Sequence, residues 1–82
     1  MSQEIFESLG MAQAAPDVWA KEYTHPDTGS ILSVAARLEP DGRIVVLYKR
    51  DGRFHRKKTY TRSTRVAVNA VRMSIQRAGY QL

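Results

Sequence analysis

Residues 43–62 read R-I-V-V-L-Y-K-R-D-G-R-F-H-R-K-K-T-Y-T-R, and their reading decides the fold. An apolar run from Ile44 to Tyr48 meets Asp51-Gly52. That dipeptide suits a two-residue hairpin turn, whose corners need positive φ. A second run, Arg53 to Tyr60, sets cations between aromatics. The stretch therefore predicts a hairpin. Its first strand is apolar on both faces, Ile44, Val46 and Tyr48 against Val45 and Leu47, which predicts an interior place in a sheet.

Moving toward the N-terminus, Glu39-Pro40-Asp41-Gly42 predicts a turn with glycine at a left-handed bulge position. Residues 31–38 alternate: Leu32, Val34, Ala36 and Leu38 share one face, and Ile31, Ser33, Ala35 and Arg37 share the other. His25-Pro26-Asp27-Thr28-Gly29-Ser30 is turn chemistry. Residues 18–24 alternate enough for a first strand, with Trp19 and Tyr23 on one side. Ser2, Ile5, Phe6, Leu9 and Ala12 have the spacing of a short amphipathic helix over residues 2–13, although Gly10 argues for a break. Residues 1–16 thus read as an N-terminal helix or flexible arm, bounded by Pro16, and residues 17–82 as a single domain.

Beyond the hairpin, residues 61–63 contain the N-cap of a helix that runs to about Ala78. Gly79 is the stop signal, and Arg77 suits the negative end of the dipole. Ala67, Ala70, Val71, Ser74, Ile75 and Ala78 share the apolar face, with Arg65, Asn69, Arg72 and Gln76 opposite. The fold class is α+β: an antiparallel three- to four-stranded meander, one C-terminal helix packed on one sheet face, and a short N-terminal helix or arm.

The 82 residues suffice for one small core, burying roughly 60–65% of the unfolded surface. There is no cysteine, so disulfides and thiolate metal sites are excluded. The N-terminus lacks the basic and apolar regions of a signal peptide, and no apolar run approaches the ~18 residues of a membrane span. The expectation is a cytoplasmic protein without membrane contact.

Charge is divided along the chain. Residues 1–42 carry two basic and seven acidic side chains, whereas residues 43–82 carry eleven basic ones and a single acid, Asp51. Such a split predicts a one-sided basic surface and a polyanionic partner. The bland alternative is charge kept for solubility or for guarding a sheet edge. Edge protection needs one or two cations, not the run Arg53, Arg56, Lys57, Lys58, Arg62 and Arg65.

Pairing decides which face carries that run. A three-residue loop at Pro40-Asp41-Gly42 places Leu38 opposite Ile44, Ala36 opposite Val46 and Val34 opposite Tyr48. A two-residue loop at Asp51-Gly52 places Lys49 opposite Phe54, Leu47 opposite Arg56 and Val45 opposite Lys58. The face away from the helix then carries Arg37, Arg43, Lys49, Arg56 and Lys58, with Phe54 and Tyr60 between them. Arg50, Arg53, Arg62 and Arg65 complete the candidate nucleic-acid-binding set. A bulged loop would slip the register by one and turn Phe54, Arg56, Lys58 and Tyr60 toward the helix. Both registers remain open from sequence.

Other chemistry is sparse. His25 and His55 lie on different elements and make a weak metal signal. There is no nucleophile elbow, glycine-rich phosphate loop or H-E-x-x-H motif. No catalytic residue, cofactor or metal is expected, and an enzyme is not the expectation. Asn69 and Gln76, with Arg65 and Arg72, are side-chain types that read base edges, and equally ordinary residues of a solvent face.

The run K-R-D-G-R-F-H-R-K-K-T-Y-T, followed by the helix S-T-R-V-A-V-N-A-V-R-M-S-I, resembles the N-terminal arm-binding domains of phage tyrosine-recombinase integrases. In that family a three-stranded sheet lies in the major groove with a helix behind it. The resemblance covers about half the chain and implies that Arg37, Lys49, Phe54, Arg56 and Lys58 face DNA. The chain departs from the family in its acidic N-terminal half and in having no catalytic domain. It is also similar to double-stranded-RNA-binding domains, which would give phosphate contacts to Arg62, Arg65 and Arg72. That family's K-K-x-A-K run is replaced here by S-T-R-V-A-V.

The expected function is therefore a small basic DNA-binding protein, an accessory or regulatory factor of a phage, plasmid or bacterium, with DNA favoured over RNA. The alternative is an inhibitor or adaptor that binds an acidic protein surface, with Trp19, Tyr23 and Ile31 exposed. The expected oligomeric state is a monomer or a weak homodimer formed through an edge strand or through Val45 and Leu47.

Overall fold

Alternating apolar residues and glycine-bearing turns build one antiparallel sheet, folded over a single layer of helix. The structure is a computed structural model and describes residues 6–61 and 64–82. Strands β1 (Ala12–Ala15), β2 (Val18–Thr24), β3 (Ile31–Leu38), β4 (Ile44–Arg50) and β5 (Arg53–Tyr60) lie side by side in chain order. Helix α1 (Thr64–Arg77) follows. The fold is α+β as expected, with five strands rather than three or four.

The extra strand comes from the segment expected to be helical. Phe6 and Glu7 are helical, but Gly10 takes φ 79° and ends the turn. Ala12–Ala15 then pairs with β2. Pro16-Asp17 turns the chain within the sheet, with Asp17 at φ 63°, as the second corner of a type II turn requires. Ser2 and Ile5 lie outside the described residues, as do Arg62 and Ser63 of the expected helix start.

The sheet has one covered face. Trp19 and Tyr23 on β2, Leu32, Val34 and Ala36 on β3, and Ile44, Val46 and Tyr48 on β4 are buried there. Ala67, Val68, Val71 and Ile75 of α1 close over them, joined by Phe6, Leu9 and Met11 from the N-terminal segment. Phe6 stacks on Trp19 at 5.2 Å, and the Tyr23 hydroxyl donates to the Leu9 carbonyl at 2.9 Å. Trp19 and Tyr23 are therefore core residues, not the exposed aromatics that would suit the adaptor reading, while Ile31 is exposed. The buried helix face is turned slightly from the expected one: Val68 is buried and Ala78 exposed.

Glycines at positive φ shape one strand turn and the end of the helix. Gly42 takes φ 91° and its N–H donates to the Glu39 carbonyl at 2.9 Å, which gives the expected pairs Leu38–Ile44, Ala36–Val46 and Val34–Tyr48. The helix ends in a Schellman motif. The Tyr80 N–H donates to the Ile75 carbonyl and the Gly79 N–H to the Gln76 carbonyl, with Gly79 at φ 91°. Buried Tyr80 then docks on the β2–β3 turn, edge-on to His25 at 5.3 Å.

Candidate nucleic-acid interface

The hairpin turn has the expected two residues. Asp51 and Gly52 take φ 51° and 82°, positive at both corners as a type I′ turn demands. Arg50 pairs with Arg53 and Lys49 with Phe54. The Asp51 carboxylate accepts from the Ile31 N–H at 2.9 Å and from the Ser30 hydroxyl at 3.0 Å, tying the turn to β3. The bond from the Ile31 amide, with help from Ser30, holds the Asp51 carboxyl below its ordinary range.

Past Phe54 the register changes. Tyr48 pairs with Arg56, Leu47 with Lys57, Val46 with Lys58 and Ile44 with Tyr60. His55 is the extra residue of a β-bulge. The expected outward face is therefore corrected: Arg56, Lys58 and Tyr60 lie on the helix side of the sheet. Packing supplies the reason. Tyr60, opposite Ile44, is partly buried against the core, and the Arg56 guanidinium sits 5.0 Å over the Tyr48 ring. An unbroken register would lose both contacts. One extra residue reconciles the type I′ turn with this packing.

The cations on the helix side remain solvated because α1 does not reach over β5. Every residue of β5 from Arg53 to Thr59 is exposed. Phe54 is 67% exposed on the open side, and Lys57, opposite Leu47, shares that side. Lys57 was left out of the expected binding set because the straight register hid it. The basic run of the sequence contained it nonetheless.

Two candidates are neutralised locally. The Arg43 guanidinium pairs with Asp41 at 2.8 Å and Arg37 pairs with Glu39 at 3.2 Å. The Arg43 backbone N–H also donates to Asp41, and this bond leads in holding that carboxyl below its ordinary range. Among the described residues no carboxylate forms an ion pair with Lys49, Arg53, Arg56, Lys57 or Lys58. Arg50 sits beside the Asp51 carboxylate.

The helical cations are elsewhere. Ser74 is the α1 residue beside the Tyr48 hydroxyl. Arg65, Asn69, Arg72 and Gln76 lie roughly half a turn round the helix from it. The Arg72 guanidinium donates to the Asn69 side-chain Oδ1 at 3.1 Å. The structure thus gathers Lys49, Arg50, Arg53, Phe54, Arg56 and Lys58 at one hairpin and leaves Arg65 on the far flank of the helix. Arg62 is outside the described residues.

Neither histidine belongs to a ligand cluster. The amides of Asp27 and Thr28 donate to His25 Nδ1 at 3.1 and 3.3 Å, so His25 organises its own turn. Among the described residues there is no group of three His, Cys, Asp or Glu able to hold a metal ion, and no helix long and apolar enough to cross a membrane. Comparison with protein-family models, with curated proteins and with solved structures finds no match to this chain.

Proposed function

We propose that this protein binds nucleic acid, double-stranded DNA before RNA, along the β4–β5 hairpin. One observation carries the reading: an edge strand with four cations, exposed on both faces, with no carboxylate paired to them among the described residues. Surface charge kept for solubility is normally mixed in sign. On this strand the charge is all of one sign.

The bulge changes the mode expected from sequence. A sheet lying flat in a groove would present one cationic face. This hairpin carries cations on both sides: Lys49 and Lys57 on the open face, Arg56 and Lys58 on the helix side. A two-stranded ribbon fits the major groove, which is about 12 Å wide. Entering edge-on, it brings each face to the phosphates of one DNA strand. Such contacts fix position and carry no sequence information of their own. Phe54 at the hairpin end is free to stack on a base or pack on a thymine methyl. The likeness to integrase arm-binding domains ranks duplex DNA first.

The test is a mobility-shift titration of the full chain against double-stranded DNA, single-stranded DNA and double-stranded RNA. Double-stranded DNA should shift most, and Arg56→Glu with Lys58→Glu should abolish the shift while circular dichroism stays unchanged. No shift with any of the three at low salt, or an undiminished shift in the double variant, overturns the proposal.

A further inference from the structure

The sheet face turned away from α1 has no described element packed on it. The bulge removes Arg56 and Lys58 from this face and leaves Val18, Ala20, Ala35, Val45 and Leu47 on it, around Ser33 and Arg37 of the central strand β3. Leu47 is 38% exposed there. A shallow groove of about 400 Å³ runs between Ala20, Ala35 and Leu47, bounded by Glu22 on one side and Lys49 on the other.

We infer that this face joins a second copy of this chain. The register makes it self-complementary. Glu22 and Lys49 both pair with Ser33, so they flank β3 at the same level. Ala20 and Leu47 both pair with Ala35, and Val18 and Val45 both pair with Arg37. A two-fold axis running along β3, between two stacked sheets, exchanges β2 with β4. Glu22 then lies over the partner's Lys49, and the small Ala20 lies over the partner's Leu47. Each relation occurs twice, as an isologous interface requires. The two copies of Arg37 approach the axis, but each already carries Glu39 at 3.2 Å.

Sheet packing tolerates this arrangement. Two sheets stack about 10 Å apart with strands crossing at about 30°, which moves the strand ends by roughly one strand spacing and the residues near the middle of β3 by less. Five strands of this length cover on the order of 450 Å² on each copy, using spacings of about 4.8 Å between strands and about 3.3 Å along them. The total is near the lower bound of about 1,000 Å² for a specific interface, so the dimer is weak and depends on protein concentration. In such a dimer β5 faces the partner's β1, so Lys49 and Lys57 on the open face serve both surfaces, whereas Arg56 and Lys58 on the helix side stay clear of the partner and report on nucleic-acid binding alone.

Sedimentation equilibrium of the full chain over a wide concentration range tests the inference. The mass should rise from 9.3 kDa toward twice that value. Leu47→Glu should stay monomeric throughout, with an unchanged circular dichroism spectrum. Glu22→Lys and Lys49→Glu should each weaken the dimer by about tenfold, as like charges replace opposite ones, and the two changes together should restore it. A wild-type mass that never rises overturns the inference. So does a dimer that survives Leu47→Glu, or a combined charge exchange that weakens association further.

Discussion

Tyr23 shows how much one side chain decides in a core this small. Its ring is buried and its hydroxyl holds the N-terminal segment through the Leu9 carbonyl at 2.9 Å. Burial, with Tyr48 nearby, pushes its pKa up from 10.0 to about 12. Between these values only the unfolded chain releases the proton. The contribution is complete below pH 10 and is lost as pH rises to about 12. Tyr23→Phe should cost about 1 kcal/mol at neutral pH, by urea unfolding. The same variant should also lose stability less steeply between pH 10 and 12. Gly79 gives a second case. A Cβ there would stand 2.6 Å from His25 Nε2, on a backbone at φ 91°. Gly79→Ala should cost about 1–3 kcal/mol, whereas Gly52→Ala, with open space around it, meets only the φ penalty. Unfolding midpoints of the two variants should differ in that order.

At the scale of the element, β5 is where sequence and structure part. The turn at Asp51-Gly52 was legible because few residues adopt two successive positive φ angles. The pairing of β3 with β4 was legible because alternation and Gly42 agreed. The bulge at His55 was not legible. It follows from what Tyr60 and Arg56 pack against, the buried core and the Tyr48 ring, and those contacts exist only once β4 is fixed. Strand β1 was hidden for a different reason: A-Q-A-A carries no alternation and is recruited by the Pro16-Asp17 turn. The helix face was read slightly rotated: Val68 packs into the core and Ala78, at the helix end, lies exposed. Nuclear Overhauser contacts decide the β5 register. They should link Tyr48 with Arg56 and Val46 with Lys58. Contacts of Leu47 with Arg56 and of Val45 with Lys58 would restore the straight register.

Across the whole molecule, strand order in space follows strand order in sequence. That is why a charge split along the chain becomes a split across the sheet. Asp17 and Glu22 belong to the β1–β2 side, and the β5 cations, which form no ion pair with a carboxylate among the described residues, to the opposite edge. A field of this shape orients the molecule toward a polyanion with the hairpin leading. The helical stripe does not add to that edge, so the surface is narrower than the sequence suggested. The most direct measurement is the salt dependence of duplex-DNA affinity, followed by fluorescence anisotropy between 50 and 200 mM salt. With about five phosphates neutralised by the hairpin, log K should fall against log salt with a slope of roughly −4 to −5. Replacing both Arg56 and Lys58 by alanine should make the slope shallower by roughly 2. No binding at the lowest salt, or a slope near zero, would contradict the account.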